Sequence, residues 1–150
     1  MIFQDSIGSL SPRVKVKHLI AEPFQIHKIN NLNIKTEVNK LLESVGLSTD
    51  FLDRYPHELS GGQAKRISIA RAIALKPKLL IADEPTGNLD PKTSLEIMQL
   101  LLDLNKKGNT ILMATHDFIL IKEFPHKTLL CNNSANFKNF FFIFINSPRN

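Results

Sequence analysis

Two acids stand side by side in this chain, Asp83 and Glu84, directly after the apolar run Leu79-Leu80-Ile81-Ala82. Carboxylates at the C-terminal end of a buried parallel strand lie where open α/β sheets bind their ligands. There Asp83 is suited to hold a hydrated Mg2+, and Glu84 to orient or deprotonate a water. For any single Asp-Glu pair, the plain alternative is an acidic strand end at the surface. A second candidate is the turn Ser60-Gly61-Gly62-Gln63. Its glycines let the backbone come close to a ligand, and Ser60 is a good N-cap. Free N–H groups at such a helix start, with the dipole behind them, suit a phosphate. Taken alone, the same turn is also an ordinary Ser-capped helix with a glycine hinge. A third is His116, followed by Asp117. A lone His after a strand is more often structural than functional.

These side chains need elements to hold them. Residues 63–75 read as a helix, with Ile67, Ala70, Arg71 and Ala74 three or four apart. A Lys-Pro breaker then precedes the apolar run at 79–82, which reads as a buried parallel strand. Asp90-Pro91 starts a further helix, an N-cap followed by Pro at the first position. Leu95, Met98, Leu101 and Leu102 mark its expected buried face, and Lys106, Lys107 and Gly108 end it. Residues 110–115 form the next buried strand and deliver His116. Met1-Ile2-Phe3-Gln4-Asp5 reads as a strand end running into a loop. Between them, residues 11–58 read as mainly helical. A segment at 14–27 is broken or kinked at Pro23, and Asn30-Asn31-Leu32-Asn33 is a polar loop. Thr36 caps a helix with Val38, Leu41, Leu42 and Val45 on one face, and Gly46 stops it. A short helix around 50–54 leads to Pro56. His18, His27 and His57 lack ligand-like spacing and read as surface residues.

The order LSGGQ, LLIADEPT, GNLD is what joins these sites. It resembles the ATP-binding cassette (ABC) ATPase family. The resemblance implies an α/β fold: a partial P-loop NTPase core with parallel strands, plus an α-helical subdomain. Residues 1–6 and 76–130 would form the partial ATPase core. Residues 7–75 would form the helical subdomain with the signature motif, leaving 131–150 as a divergent tail. ATP and Mg2+ are the implied cofactors. Asp83 and Gln4 would serve the metal, Glu84 the attacking water, and His116 and Gln4 the γ-phosphate. Ser60, Gly61, Gly62, Gln63 and Asp90 would meet nucleotide across a head-to-tail dimer with a second nucleotide-binding domain, identical or not. The other implied partners are transmembrane permease subunits. Membrane contact then comes only through partners, on the inner face of the cell membrane from the cytoplasm. QDSIGSLSPR and IAEPFQIH are similar to ATPases of the peptide and nickel importer group. GNLD is closer in spelling to lipoprotein-export and cell-division ATPases of the family.

The family also needs Gly-x-x-x-x-Gly-Lys-Ser/Thr ahead of Gln4. None of the six glycines is followed by Lys. The expectation is a domain that begins partway through the fold, with no useful ATPase activity from these residues alone. Three other readings stand beside a transporter ATPase. One is a non-enzymatic half-site or split-gene product that lends its signature helix to a partner. Another is an ABC ATPase outside transport, and the last is a gene remnant that does not fold.

Composition sets outer bounds. The chain has 150 residues, 43% hydrophobic, with net charge +5 and a single cysteine, Cys131. That length suits one domain with a core, and one cysteine excludes an internal disulfide. The positive charges are scattered, with no basic cluster interleaved with aromatics, so nucleic acid is not an expected partner. No apolar run reaches the roughly 20 residues of a membrane helix, and the start lacks a signal-peptide pattern. Beyond Ile121 the resemblance fades. Five of the ten phenylalanines fall at 137–144, and the run at 140–145 reads as an aggregation-prone segment. The tail is expected to be out of frame or decayed, with an unusual terminal strand as the alternative.

Overall fold

Residues 1–6, 8–29, 33–132 and 139–145 are described by the computed structural model. They fall into two units, one of Met1–Gln4 with Lys78–Asn150 and one of Asp5–Pro77.

The first unit is a sheet with helix on one side. Strand β1 (Leu79–Asp83) pairs in parallel with β2 (Thr110–Thr115), and helix α4 (Pro91–Lys106) makes the crossover that parallel pairing requires. Ile2 forms a parallel bridge to Ala82, its N–H on Ile81 O and its carbonyl taking the Asp83 N–H, both at 2.8 Å. Helix α5 (Phe118–Glu123) follows β2, and strands β3 (Lys127–Asn132) and β4 (Asn139–Ile145) complete a sheet of order β1-β2-β4-β3. Only β1 and β2 run parallel among these named strands. β4 is antiparallel to both β2 and β3. The apolar run expected to be aggregation-prone is thus an interior strand, with hydrogen-bond partners on both edges. Residues 133–138 and 146–150 of the tail lie outside the described residues.

Side chains on β1 alternate. Leu80 and Ala82 are buried, whereas Leu79 and Ile81 are 49% and 40% exposed. A strand expected to be buried on both faces is therefore buried on one, because α4 packs on one face of the sheet and the other stays open. The α4 stripe is Ser94, Ile97, Met98, Leu101, Leu104 and Asn105. Leu95, expected on that stripe, is 41% exposed. At about 100° per residue it is turned one step away from the sheet.

The second unit is helical: α1 (Val16–Ile26), α2 (Ile34–Ser44) and α3 (Gly61–Ile73) pack against one another in pairs. Leu19, Ile20 and Phe24 of α1, Val38 and Leu42 of α2, and Ile67 and Ala70 of α3 are buried. Pro23 does not break α1, which runs three residues past it. Pro costs the helix one N–H donor there, and the buried stripe on either side outweighs it. The cap of α2 is Asn33 rather than Thr36: Asn33 Oδ1 accepts the Thr36 N–H at 3.3 Å. Asn ranks above Thr as an N-cap, and three residues is the reach of the bond. Gly46 ends α2 at φ +75°, where an L side chain is strained. The helix expected near residue 50 is a single 3₁₀ turn, Thr49–Phe51, and a second at Pro56–Glu58 leads to α3.

Candidate functional site

Parallel pairing puts the C-terminal ends of β1 and β2 at the same edge of the sheet. Asp83 lies opposite Ala114, and the Glu84 N–H continues the ladder onto Ala114 O at 2.9 Å. Glu84 is thereby laid against Thr115 and His116. Its backbone takes φ +44°, a left-handed conformation costly for a side-chain-bearing residue, of the kind that clusters at functional sites. The Glu84 side chain is buried and held by three contacts. Thr115 Oγ1 donates to Oε2 at 3.2 Å, the His116 N–H to Oε1 at 3.0 Å, and His116 Nδ1 meets the same Oε1. The His116 ring itself is 63% exposed.

The turn after Glu84 folds over Gln4. Gly87 N–H returns to Glu84 O at 3.0 Å, and a Cβ at Gly87 would stand 3.2 Å from Gln4 Cγ. A glycine here leaves the Gln4 side chain its seat. Gln4, Glu84, Gly87, Leu95 and His116 share the lining of a cavity of about 360 Å³. Asp83 and Asp90 are not in that lining. Asp83 shares strand parity with the exposed Leu79 and Ile81. Asp90 caps α4, its Oδ1 accepting the Thr93 N–H at 3.0 Å. Bonds from Thr93 to its side chain hold the Asp90 carboxyl below the usual range.

In the helical unit, Ser60 and Gln63 satisfy each other's backbone. Ser60 Oγ accepts the Gln63 N–H at 3.3 Å, and Gln63 Oε1 accepts the Ser60 N–H at 3.0 Å. This is a reciprocal capping box, and Gly61 and Gly62 make the first turn of α3 behind it. The side chains of Ser60 and Gln63 are committed to the helix start.

Seven of the nine sequence-predicted residues therefore lie in two groups, Gln4, Glu84 and His116 around one cavity and Ser60, Gly61, Gly62 and Gln63 at one helix terminus, whereas Asp83 and Asp90 lie in neither. His18, His27 and His57 are exposed, and no group of three His, Cys, Asp or Glu side chains among the described residues is arranged to hold a metal. Sequence reasoning passed over Thr115 and Glu123. Thr115 carries the contact to Glu84, and Glu123 lines the cavity. The signal for Thr115 was its alternation with the buried Ile111 and Met113 on β2.

The ABC transporter family model matches residues 1–87. A putative oligopeptide transport ATP-binding protein of Bacillus subtilis, YkfD, is 47% identical over 125 residues, covering 81% of this chain and 38% of its own length. The cell division ATP-binding protein FtsE of Streptococcus pneumoniae is 46% identical over 133 residues, 89% of this chain and 56% of its length. Among solved structures, cbiO1 of Clostridium perfringens, part of the ABC transporter complex cbiONQ, superposes with a TM-score of 0.70 at 38% identity. That superposition covers 77% of this chain and 46% of cbiO1. The chain spans about two fifths of the length of the oligopeptide-transport relatives it matches. A family match over more than half of its residues, with the acids and histidine at the C-terminal ends of two parallel strands, establishes that this chain belongs to the ABC transporter family.

Proposed function

We propose that the chain is part of the ATP-binding subunit of an ABC transporter, of the oligopeptide-importer type. One observation carries this reading: Gln4, Glu84 and His116, distant in sequence, line one cavity at the C-terminal edge of β1 and β2. The first unit is then the ATPase core and the helical unit carries the signature turn.

The residues present suit the γ-phosphate end of ATP with Mg2+. Gln4 in the cavity lining and Asp83, next to Glu84 in the chain but outside that lining, would offer the carbonyl and carboxylate oxygens that Mg2+ takes, the ion otherwise keeping waters and phosphate oxygens. When bound, Mg2+ supplies charge neutralisation at the phosphates. Glu84, fixed by three contacts, would orient the attacking water, and His116 would contact the terminal phosphate. No Gly-x-x-x-x-Gly-Lys-Ser/Thr occurs in these 150 residues, so the phosphate cradle must come from elsewhere. Ser60, Gly61, Gly62, Gln63 and Asp90 serve nucleotide held by a second nucleotide-binding domain. The similarity to YkfD supports peptide import, and the membership of cbiO1 in a transporter complex supports assembly with permease subunits. No helix among the described residues is long and apolar enough to cross a membrane. We place the protein on the cytoplasmic face, held there by those subunits.

A second reading, the non-enzymatic half-site, is favoured by α3, whose start is completed by a capping box of its own residues Ser60 and Gln63. One experiment separates the two. The chain is mixed with a nucleotide-binding domain that carries the phosphate loop, and ATP turnover is followed with and without Mg2+. Turnover that appears on mixing and is lost with Glu84→Gln supports the catalytic reading. Turnover that survives Glu84→Gln but is lost with Ser60→Ala supports the half-site, and no turnover with any such partner sinks both.

A further inference from the structure

Thr86 and Ser94 line the same cavity as Glu84 and are 6% and 8% exposed. Their main chains are bonded locally. Thr86 O accepts the Leu89 N–H at 3.2 Å, and the Ser94 N–H goes to Asp90 O at 2.9 Å. Among the described residues, neither hydroxyl has a hydrogen-bond partner. Buried polar groups are paired with protein or with ordered water, so both oxygens call for an explanation. Neither is sealed off, in contrast to Asn39 Oδ1 and Ser68 Oγ, which have no partner and no access to solvent. The two hydroxyls therefore open on the cavity. Ser94 lies in the first turn of α4, where the dipole is already answered by Asp90, whose Oδ1 accepts the Thr93 N–H. A lone anion would also meet the carboxylates of Glu84 and Glu123 in this lining, and a phosphate enters it, on the reading above, with Mg2+. Water, which both gives and takes hydrogen bonds as a hydroxyl does, matches the pair, and a cavity of about 360 Å³ has room for it.

We propose that Thr86 and Ser94 form a water-binding site of this cavity, distinct from the Thr115 and His116 contacts that fix Glu84. Its role rests on the reading of Glu84 as the residue that orients the attacking water: the two hydroxyls keep water in the cavity that this carboxylate lines. Thr86→Val keeps the shape and removes the hydroxyl, whereas Thr86→Ser keeps the hydroxyl.

The test is a high-resolution crystal structure of the wild-type chain and of Thr86→Val and Ser94→Ala, with unfolding equilibria for the variants at position 86. In the wild type an ordered water should lie about 2.5–3.0 Å from each hydroxyl oxygen. Thr86→Val should lose its water, and Ser94→Ala the one at its own position. Thr86→Val should also lower the folding equilibrium constant roughly two- to tenfold, because a bonded hydroxyl has gone. Thr86→Ser should keep the water. Were the Thr86 hydroxyl unpaired, Thr86→Val would raise the folding constant instead, since a methyl would replace an unsatisfied group. That rise overturns the proposal. So does a wild-type structure in which either hydroxyl meets a protein group or a bound anion rather than water. Should Thr86→Val not fold, the wild-type structure decides alone. The readout needs no nucleotide, so water held at both residues without turnover beside any phosphate-loop partner would sink the catalytic reading and leave this site standing.

Discussion

Glu84 and His116 directly follow the ends of different strands, β1 and β2, and meet twice through one oxygen: Glu84 Oε1 accepts the His116 N–H at 3.0 Å and meets the His116 ring at Nδ1. Glu84 holds this position from a left-handed backbone, φ +44°. Two penalties therefore separate at this position. Removing the carboxylate leaves the buried Thr115 hydroxyl and the His116 N–H short of an acceptor, which costs about 1–3 kcal/mol. Any L residue also carries roughly 1–2 kcal/mol for the left-handed conformation, which glycine avoids. Both Glu84→Ala and Glu84→Gly should destabilise the fold, with Glu84→Gly the milder of the two despite its flexible unfolded chain. Urea midpoints of the two variants decide this, and a more stable Glu84→Ala would remove the argument from strain.

The start of α3 invites a coupled test. Ser60 and Gln63 exchange side-chain-to-backbone bonds, so each removal should weaken the helix start. Ser60→Ala should cost about 1 kcal/mol. With Gln63→Ala it should show less than additive loss, because the second removal finds the box already opened. Strict additivity in the double-mutant cycle would mean that the two bonds act independently.

How much of this was legible beforehand depends on the range of the forces involved. Caps and breakers are local, and Ser60, Asp90, Gly46 and Gly108 stand where the residue types placed them. The strand at 110–115 was equally plain, since its alternation lies within six residues. Burial is not local. Leu79 and Ile81 read as core from their apolarity, but which face of β1 is covered depends on α4. Leu95 failed for the same reason, one residue off a stripe whose phase the sheet decides. Asn33, read as part of a polar loop, holds the cap expected of Thr36, a shift of three residues between neighbouring cap-forming side chains. The cavity shared by Gln4, Glu84 and His116 was reached through the order of motifs, because residues 4 and 116 meet only through strand pairing. Thr115 was missed because a threonine at a strand end has no pattern of its own.

On the helical unit, Asp53 sits between Lys15 at 3.1 Å and Lys17 at 2.8 Å. The hydrogen bond from Lys17, then that from Lys15, lowers its pKa from 3.8 to about 2, and the bond to Asp53 raises Lys15. The sign follows from the folded value lying below the unfolded one. Any stabilisation is present above pH 3.8 and disappears as the pH falls through about 2. The cluster is exposed, so salt should screen it. A carboxyl-detected NMR titration should find Asp53 near 2 at low salt and closer to its ordinary value in added NaCl. A salt-independent value would show that the ion pairs do not set it.

Asn105 ties the end of α4 to the strand whose register the sequence left open. Its Nδ2 donates to Asn109 O at 2.8 Å and to Ile145 O at 3.0 Å, using both amide protons from a buried side chain. Asn105→Ala should leave two carbonyls without that donor and cost about 1–3 kcal/mol. Asn105→Asp should cost more, since a carboxylate would face two carbonyl oxygens with nothing to donate. In both variants, amide exchange on β4 should quicken more than on β1, because the lost bond anchors β4 directly. If β4 exchanges as in the wild type while global stability falls, then Asn105 acts only as the end of its own helix and β4 is held by its strand neighbours alone.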